Sequence, residues 1–313
     1  MKITICALLF NNLNAMLNFN RSIGSHSKII LRNVSTHLRE LNHIKYEAPN
    51  EHASQPVIIL HGLLGNAKNF QSWAAKLSNQ LVKPRTIYAL DMRNHGSSFH
   101  DPDMSYPEMA NDILNFMKCN GMDKAVLLGH SMGGKAACMT ALLHPENVIG
   151  LIVMDIAPVS YSVVDQTNWG ETQRIITCLH NLNLKDITSK NDADLILEKD
   201  ILDPTLRAFA LTNLVKDQEW KWRINIEAIY HSMSKLAQFE IPESSPLFYK
   251  GDTFFIAGGK SRYIRSSHLN QIGKRFPNHS LQTIPNVGHW IHAENPDASI
   301  KAVKMYLDRE VMP

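Results

Sequence analysis

Ser131 lies in the run Gly-His-Ser-Met-Gly, residues 129–133. A serine with glycine two residues away on each side can support two different chemistries. As G-x-S-x-G, the run is a strand-to-helix turn that pushes a nucleophilic hydroxyl outward. Its neighbours must then be small, because the backbones approach closely. Extended to Lys135, the same run fits G-x-x-x-x-G-K, the opening of a phosphate-cradling loop. That loop needs Ser or Thr after the lysine to bind Mg²⁺, and Ala136 occupies the position. The nucleophile reading therefore explains more of the residues. Lys135 is expected to point to solvent or to a local acid.

Acyl transfer at Ser131 needs two backbone N–H donors for the developing oxyanion. One is expected from Met132, the residue after the nucleophile, at the positive end of a helix. The other is expected from Leu63, in "HGLLGN" after the apolar run "PVIIL". In that loop His61 and Gly62 shape the turn. A general base should follow late in the chain, and "IPNVGHWIHAENP" supplies His289, with Gly288 leaving room for a sharp loop. His292 falls toward the final helix. The orienting acid is the least determined member. The loop "IAGGKSRYI" carries Ser261 where an acid could stand, and a serine supplies no charge. Asp155, ending "GLIVMD", is the first candidate, and Glu227, in a helical stretch, the second. Asp252 precedes its strand and points to the wrong edge. Asp91, Arg93 and His95 in "DMRNHGSS" read as a polar turn pinned by hydrogen bonds. This chemistry calls for no metal and no organic cofactor.

Positioning these groups takes strands that all end on one edge. "PVIILHG", "TIYALD", "AVLLGH", "GLIVMD" and "DTFFIAGG" are short continuous apolar runs, as expected of parallel strands buried on both faces. "HSLQTIP" is a weaker sixth, and "HIKYEA" an early edge strand. Helical patterns fill the gaps. Ser105 with Glu108 predicts a capping box before "PEMANDILNFMKC", and Asn295 with Pro296 predicts the start of the last helix. Almost a hundred residues separate "GLIVMD" from "DTFFIAGG". They read as helical, so residues 159–246 are expected to form a helical cap. Its tryptophans are expected mainly in the core. The class is α/β, a mostly parallel sheet flanked by helices.

Composition removes other classes. The net charge is +3, but residues 1–39 hold five basic residues and no acid, leaving about −2 for the remainder. Nucleic acid is therefore not an expected partner. Four scattered cysteines without C-x-x-C argue against zinc and against a disulfide framework. Residues 1–40 have the basic, Ser-containing, acid-poor character of a mitochondrial targeting leader. A secretory reading of "MKITICALLF" lacks a clean cleavage site, and an untargeted leader stays open. No later segment is long and apolar enough to span a membrane.

Taken together, "HGLLGNAKNF", "LDMRNHGSS", "GHSMGGK", "MDIAPV" and "PNVGHWIHAENP" resemble the α/β-hydrolase superfamily over residues 43–310. More narrowly, they resemble the group of the mitochondrial α/β-hydrolase domain-containing protein 11 and the short bacterial esterases similar to it. The resemblance implies an α/β-hydrolase fold in residues 41–313, with the helical cap inserted after strand 6 of the family's count. It implies a serine carboxylic-ester hydrolase with Ser131 as nucleophile and His289 as base. The acid after the sixth strand matches Asp155, and assignments in the cap fall near Glu227. It further implies a small-molecule acyl ester as substrate, such as the lipid diacylglycerol. Mitochondrial location and the 2-oxoglutarate dehydrogenase complex as partner are implied too. A thioesterase, or a non-catalytic partner that keeps the pocket for binding, stays open.

Overall fold

The computed structural model describes residues 39–48, 54–161, 168–242 and 244–309. The expected leader lies outside these, apart from Arg39 and Glu40.

Seven strands form one sheet: β1 (His43–Tyr46), β2 (Ser54–Leu60), β3 (Arg85–Leu90), β4 (Ala125–His130), β5 (Val148–Met154), β8 (Thr253–Gly258) and β9 (His279–Ile284). Their spatial order is β1-β3-β2-β4-β5-β8-β9. Only the β1–β3 pair is antiparallel. The central strands are apolar throughout because both faces are covered. Ile58, Leu60, Leu127, Leu151, Val153 and Phe255 face one core, while Val57, Ile59, Leu128, Ile152, Met154 and Ile256 face the other. This alternation is the period of two that pleating imposes. The first core is closed by helices α2 (Tyr106–Cys119) and α3 (Met132–Leu143), the second by α1 (Gln71–Gln80) and by the last helix, α11 (Pro296–Leu307), which follows α9 (Leu269–Arg275) and α10 (Ile291–Glu294).

The capping box at Ser105 does not form. Ser105 is the N-cap of α2, but its side chain accepts no bond from the helix. Its N–H goes to Asp103, and Glu108 lies beside Arg93 and Asn111 instead. Asn295 caps α11 as its sequence predicts, accepting from the Ala298 N–H.

Between β5 and β8 lie helices α4 (Asn168–Asn181), α5 (Lys190–Leu197), α6 (Pro204–Leu211), α7 (Ile226–His231) and α8 (Met233–Ala237). The cap is not wholly helical. β6 (Leu214–Lys216) pairs antiparallel with β7 (Trp220–Trp222). Within this stretch, read from the sequence as helical, α6 stops at Leu211, and "LVK" and "WKW" have the alternation of a hairpin. The cap follows the fifth strand of the described residues, because only β1 precedes β2. It is tied to the loops beneath it: Asn213 Nδ2 donates to Leu64 O at 2.8 Å and Asn225 N–H to Asn94 O at 3.0 Å. No helix among the described residues is long and apolar enough to cross a membrane.

Candidate active site

Ser131 is the single residue between β4 and α3. Such a turn demands an unusual backbone, and Ser131 has φ 53° and ψ −119°. Strain of this kind clusters at functional sites. The two glycines are required by space. A Cβ at Gly129 would lie 2.2 Å from Gly133 O, and one at Gly133 would lie 2.3 Å from Leu60 O. A one-residue turn leaves no loop to wrap a phosphate, which removes the nucleotide reading. The Ser131 hydroxyl makes no capping bond to α3 and lines a cavity of about 260 Å³.

His289 lines the same cavity and comes from the loop after β9. Its Nδ1 donates to Asp155 Oδ2 at 2.8 Å. Asp155 directly follows β5, has φ 53° and is wholly buried. Its other oxygen accepts the Gly258 N–H at 2.9 Å, and its own N–H donates to Ile256 O at 2.8 Å. A buried carboxylate is costly unless its lone pairs are used. Here the neighbouring strand β8 and the imidazole use both oxygens. That geometry also holds the imidazole in one tautomer, with Nδ1 protonated and Nε2 free to accept a proton. Glu227 is on α7, exposed, and shared by His180 and His231 at 2.8 Å each. The structure brings Asp155, not Glu227, to His289.

Leu63 and Met132 also line the cavity. Met132 is the first residue of α3, so its N–H is one of the helix's unpaired donors. The N–H groups of Leu64 and Gly65 are taken by His95 Nε2 and Gly62 O. Leu63 precedes them in the same turn. The remaining walls are mostly apolar and come largely from the cap: Trp169, Ile175, Leu206, Phe209 and Leu236. Trp220 and Trp222 pack on the core instead. Ser261 lies in the cavity wall.

The flanking polar residues are structural. Asp91 accepts from Ala67 N–H, Asn42 Nδ2 and Ser97 N–H at 2.7, 2.7 and 2.8 Å. Arg93 grips Asp112 through Nε and Nη2 at 2.5 and 2.8 Å. His61 bridges Gly62 O and the Met92 N–H. His292 stacks on Phe70 at 4.2 Å and does not line the cavity that holds Ser131.

Sequence reasoning missed Lys135. It does not point to solvent or to an acid. It is buried, and its Nζ donates to Leu236 O, Ala237 O and Gln238 O at 3.3, 2.9 and 3.0 Å. Its distance of four residues from Ser131 places it one turn into α3. The sequence carries no sign that the cap's backbone lies above that turn.

The buried imidazoles make stability depend on pH. Burial, helped by His61, pushes His95 down to about 3. Burial, helped by His289, pushes His292 down to about 4. Below the ordinary value of 6.5 the unfolded chain takes up these protons, whereas the folded chain resists. The unfolded state then binds more protons, so stability falls as pH drops. His95 alone accounts for about 1.4 kcal/mol per pH unit between its unfolded and folded values. Thermal melts from pH 7 to pH 4 are expected to show a steadily falling Tm. A flat Tm over that range would contradict neutral buried imidazoles.

The alpha/beta hydrolase fold family matches residues 55–176. The chain is 33% identical over 270 residues to the sn-1-specific diacylglycerol lipase ABHD11 of Mus musculus, spanning 84% of this chain and 85% of that one. It is 31% identical to the esterase YbfF of Escherichia coli, spanning 86% of this chain and 99% of the other. Among solved structures, a marine microorganism esterase superposes with a TM-score of 0.78 at 32% identity, covering 85% of this chain and 99% of that one. With its parallel sheet, its strained serine turn and these relatives, the chain belongs to the α/β-hydrolase family and is a hydrolase of ester bonds.

Proposed function

We propose that the protein cleaves acyl esters through a covalent acyl-enzyme at Ser131. His289 Nε2 removes the hydroxyl proton as Oγ attacks the ester carbonyl. The N–H groups of Leu63 and Met132 receive the oxyanion. His289 then gives its proton to the leaving alcohol, and a water activated by the same imidazole releases the acid. Asp155 holds the ring and stabilises its charged form. The observation that carries this reading is the hydrogen bond from His289 to Asp155, with His289 on the cavity that Ser131 also lines. Proton transfer requires Oγ and Nε2 to come within about 3 Å as the substrate seats.

A lipid ester is the favoured substrate class. The walls of the cavity are mostly apolar, and a second cavity of about 590 Å³ shares Leu63, Asp203, Leu206, Phe209 and Trp290 with it. Two adjoining chambers suit a substrate with two chains, in keeping with the diacylglycerol lipase named among the relatives. A fluorophosphonate probe followed by peptide mass spectrometry tests the mechanism. Modification at Ser131, slowed while excess dioctanoylglycerol is present, is the expected result. An unmodified Ser131 would leave a binding protein rather than an enzyme. The leader is read in the same way, as a mitochondrial import signal, and fusing residues 1–40 to a fluorescent protein tests it.

A further inference from the structure

A helix leaves its last carbonyls without partners, and they carry the negative end of its dipole. α8 ends at Ala237, directly above the nucleophile-bearing helix α3, where water has little access. Three donors and one acceptor from other elements meet its terminal segment. Tyr106 Oη donates to Leu236 O at 2.9 Å, Tyr161 N–H to Ala237 O at 2.9 Å, and Lys135 Nζ to three successive carbonyls. Ser160 Oγ accepts the Phe239 N–H at 3.1 Å. Lys135 is 1% exposed and has no carboxylate partner among the described residues. The rings of Tyr161, Tyr106 and Trp169 lie 4.8, 5.4 and 6.0 Å from Nζ, in range for cation–π attraction. Leu236, Trp169 and Tyr106 are at the same time walls of the Ser131 cavity.

We propose that Lys135 is a positioning residue that latches the cap to α3 and so fixes the inner wall of the acyl chamber. It shares the nucleophile's helix, one turn along. The wall it holds is therefore registered to Ser131 rather than to the surface. All three donors of an ammonium are used, which leaves none for a substrate. Burial pushes Lys135 down to about 7, so a charge at this place is costly without the carbonyls and ring faces around it. Replacing a buried charge by an apolar group of similar length is often tolerated by a fold, and Lys135→Met is the variant of choice.

Hydrogen–deuterium exchange of the wild-type protein and of Lys135→Met, read on peptides covering 232–241, tests the latch. Exchange there is expected to accelerate at least tenfold in the variant, with β4 and β5 peptides unchanged. The ratio of kcat/KM for p-nitrophenyl octanoate to that for the acetate is expected to fall at least tenfold. This second arm rests on the hydrolytic reading above, whereas the exchange arm needs no substrate. Exchange within twofold of wild type would overturn the latch without touching the assignment of Ser131. An unreactive Ser131 would overturn that assignment and leave the exchange result standing. Should Lys135→Met fail to fold, Lys135→Gln, which keeps two donors, carries the same comparison with a smaller acceleration.

Discussion

Ser131→Ala is expected to lower kcat/KM on p-nitrophenyl esters by four to six orders of magnitude, about 5–8 kcal/mol of transition-state stabilisation. On the proposed mechanism the loss is large because the substitution deletes the atom that forms the covalent bond, not one that steadies it. Residual turnover would come from the two oxyanion donors and from water. The fold should hardly notice. The hydroxyl does not cap α3, and alanine meets the same backbone strain as serine at φ 53°. Near-wild-type Tm with abolished turnover is therefore the expected pair of results. Activity within a hundredfold of wild type would move the nucleophile elsewhere.

Asp155→Asn is expected to lower kcat by about 10⁴-fold. The argument lies in the donors and acceptors. Asp155 accepts from Gly258 N–H with one oxygen and from His289 Nδ1 with the other. An amide can keep its oxygen on Gly258 only by turning its NH₂ toward the imidazole. Nδ1 must then accept, the proton moves to Nε2, and the base is lost. Turning the amide over instead sets its NH₂ against the Gly258 N–H and leaves two donors facing each other. Neither arrangement supports the reaction. Glu227→Gln removes only exposed pairings with His180 and His231, and its activity should stay within twofold of wild type. A large loss in Glu227→Gln with an active Asp155→Asn would reverse the assignment of the acid.

The sheet was legible because strands covered on both faces leave no polar alternation, and the runs around Ile58, Leu127 and Ile152 have none. The serine turn was legible because Gly129 and Gly133 sit where backbones nearly touch, and no other residue type fits. Asp155 was legible from its place at the end of β5, next to β8 in the sheet. What stayed hidden depended on contacts between segments distant in sequence. Glu108 has the spacing of a capping partner, yet Arg93 and Asn111 are what it meets. "NLVKD" continues a helical pattern, but pairing with "WKW" drew it into a hairpin. Lys135 looked like a surface lysine because nothing local reveals a roof of backbone carbonyls.

Leu64 serves two parts of the molecule at once. Its carbonyl receives the amide of Asn213 from the roof, while its N–H rests on His95 and its neighbour Leu63 looks into the chamber. Any change that moves Asn213 therefore withdraws a support from the turn that carries Leu63, so a substitution far along the insertion can be felt at the cavity without touching it.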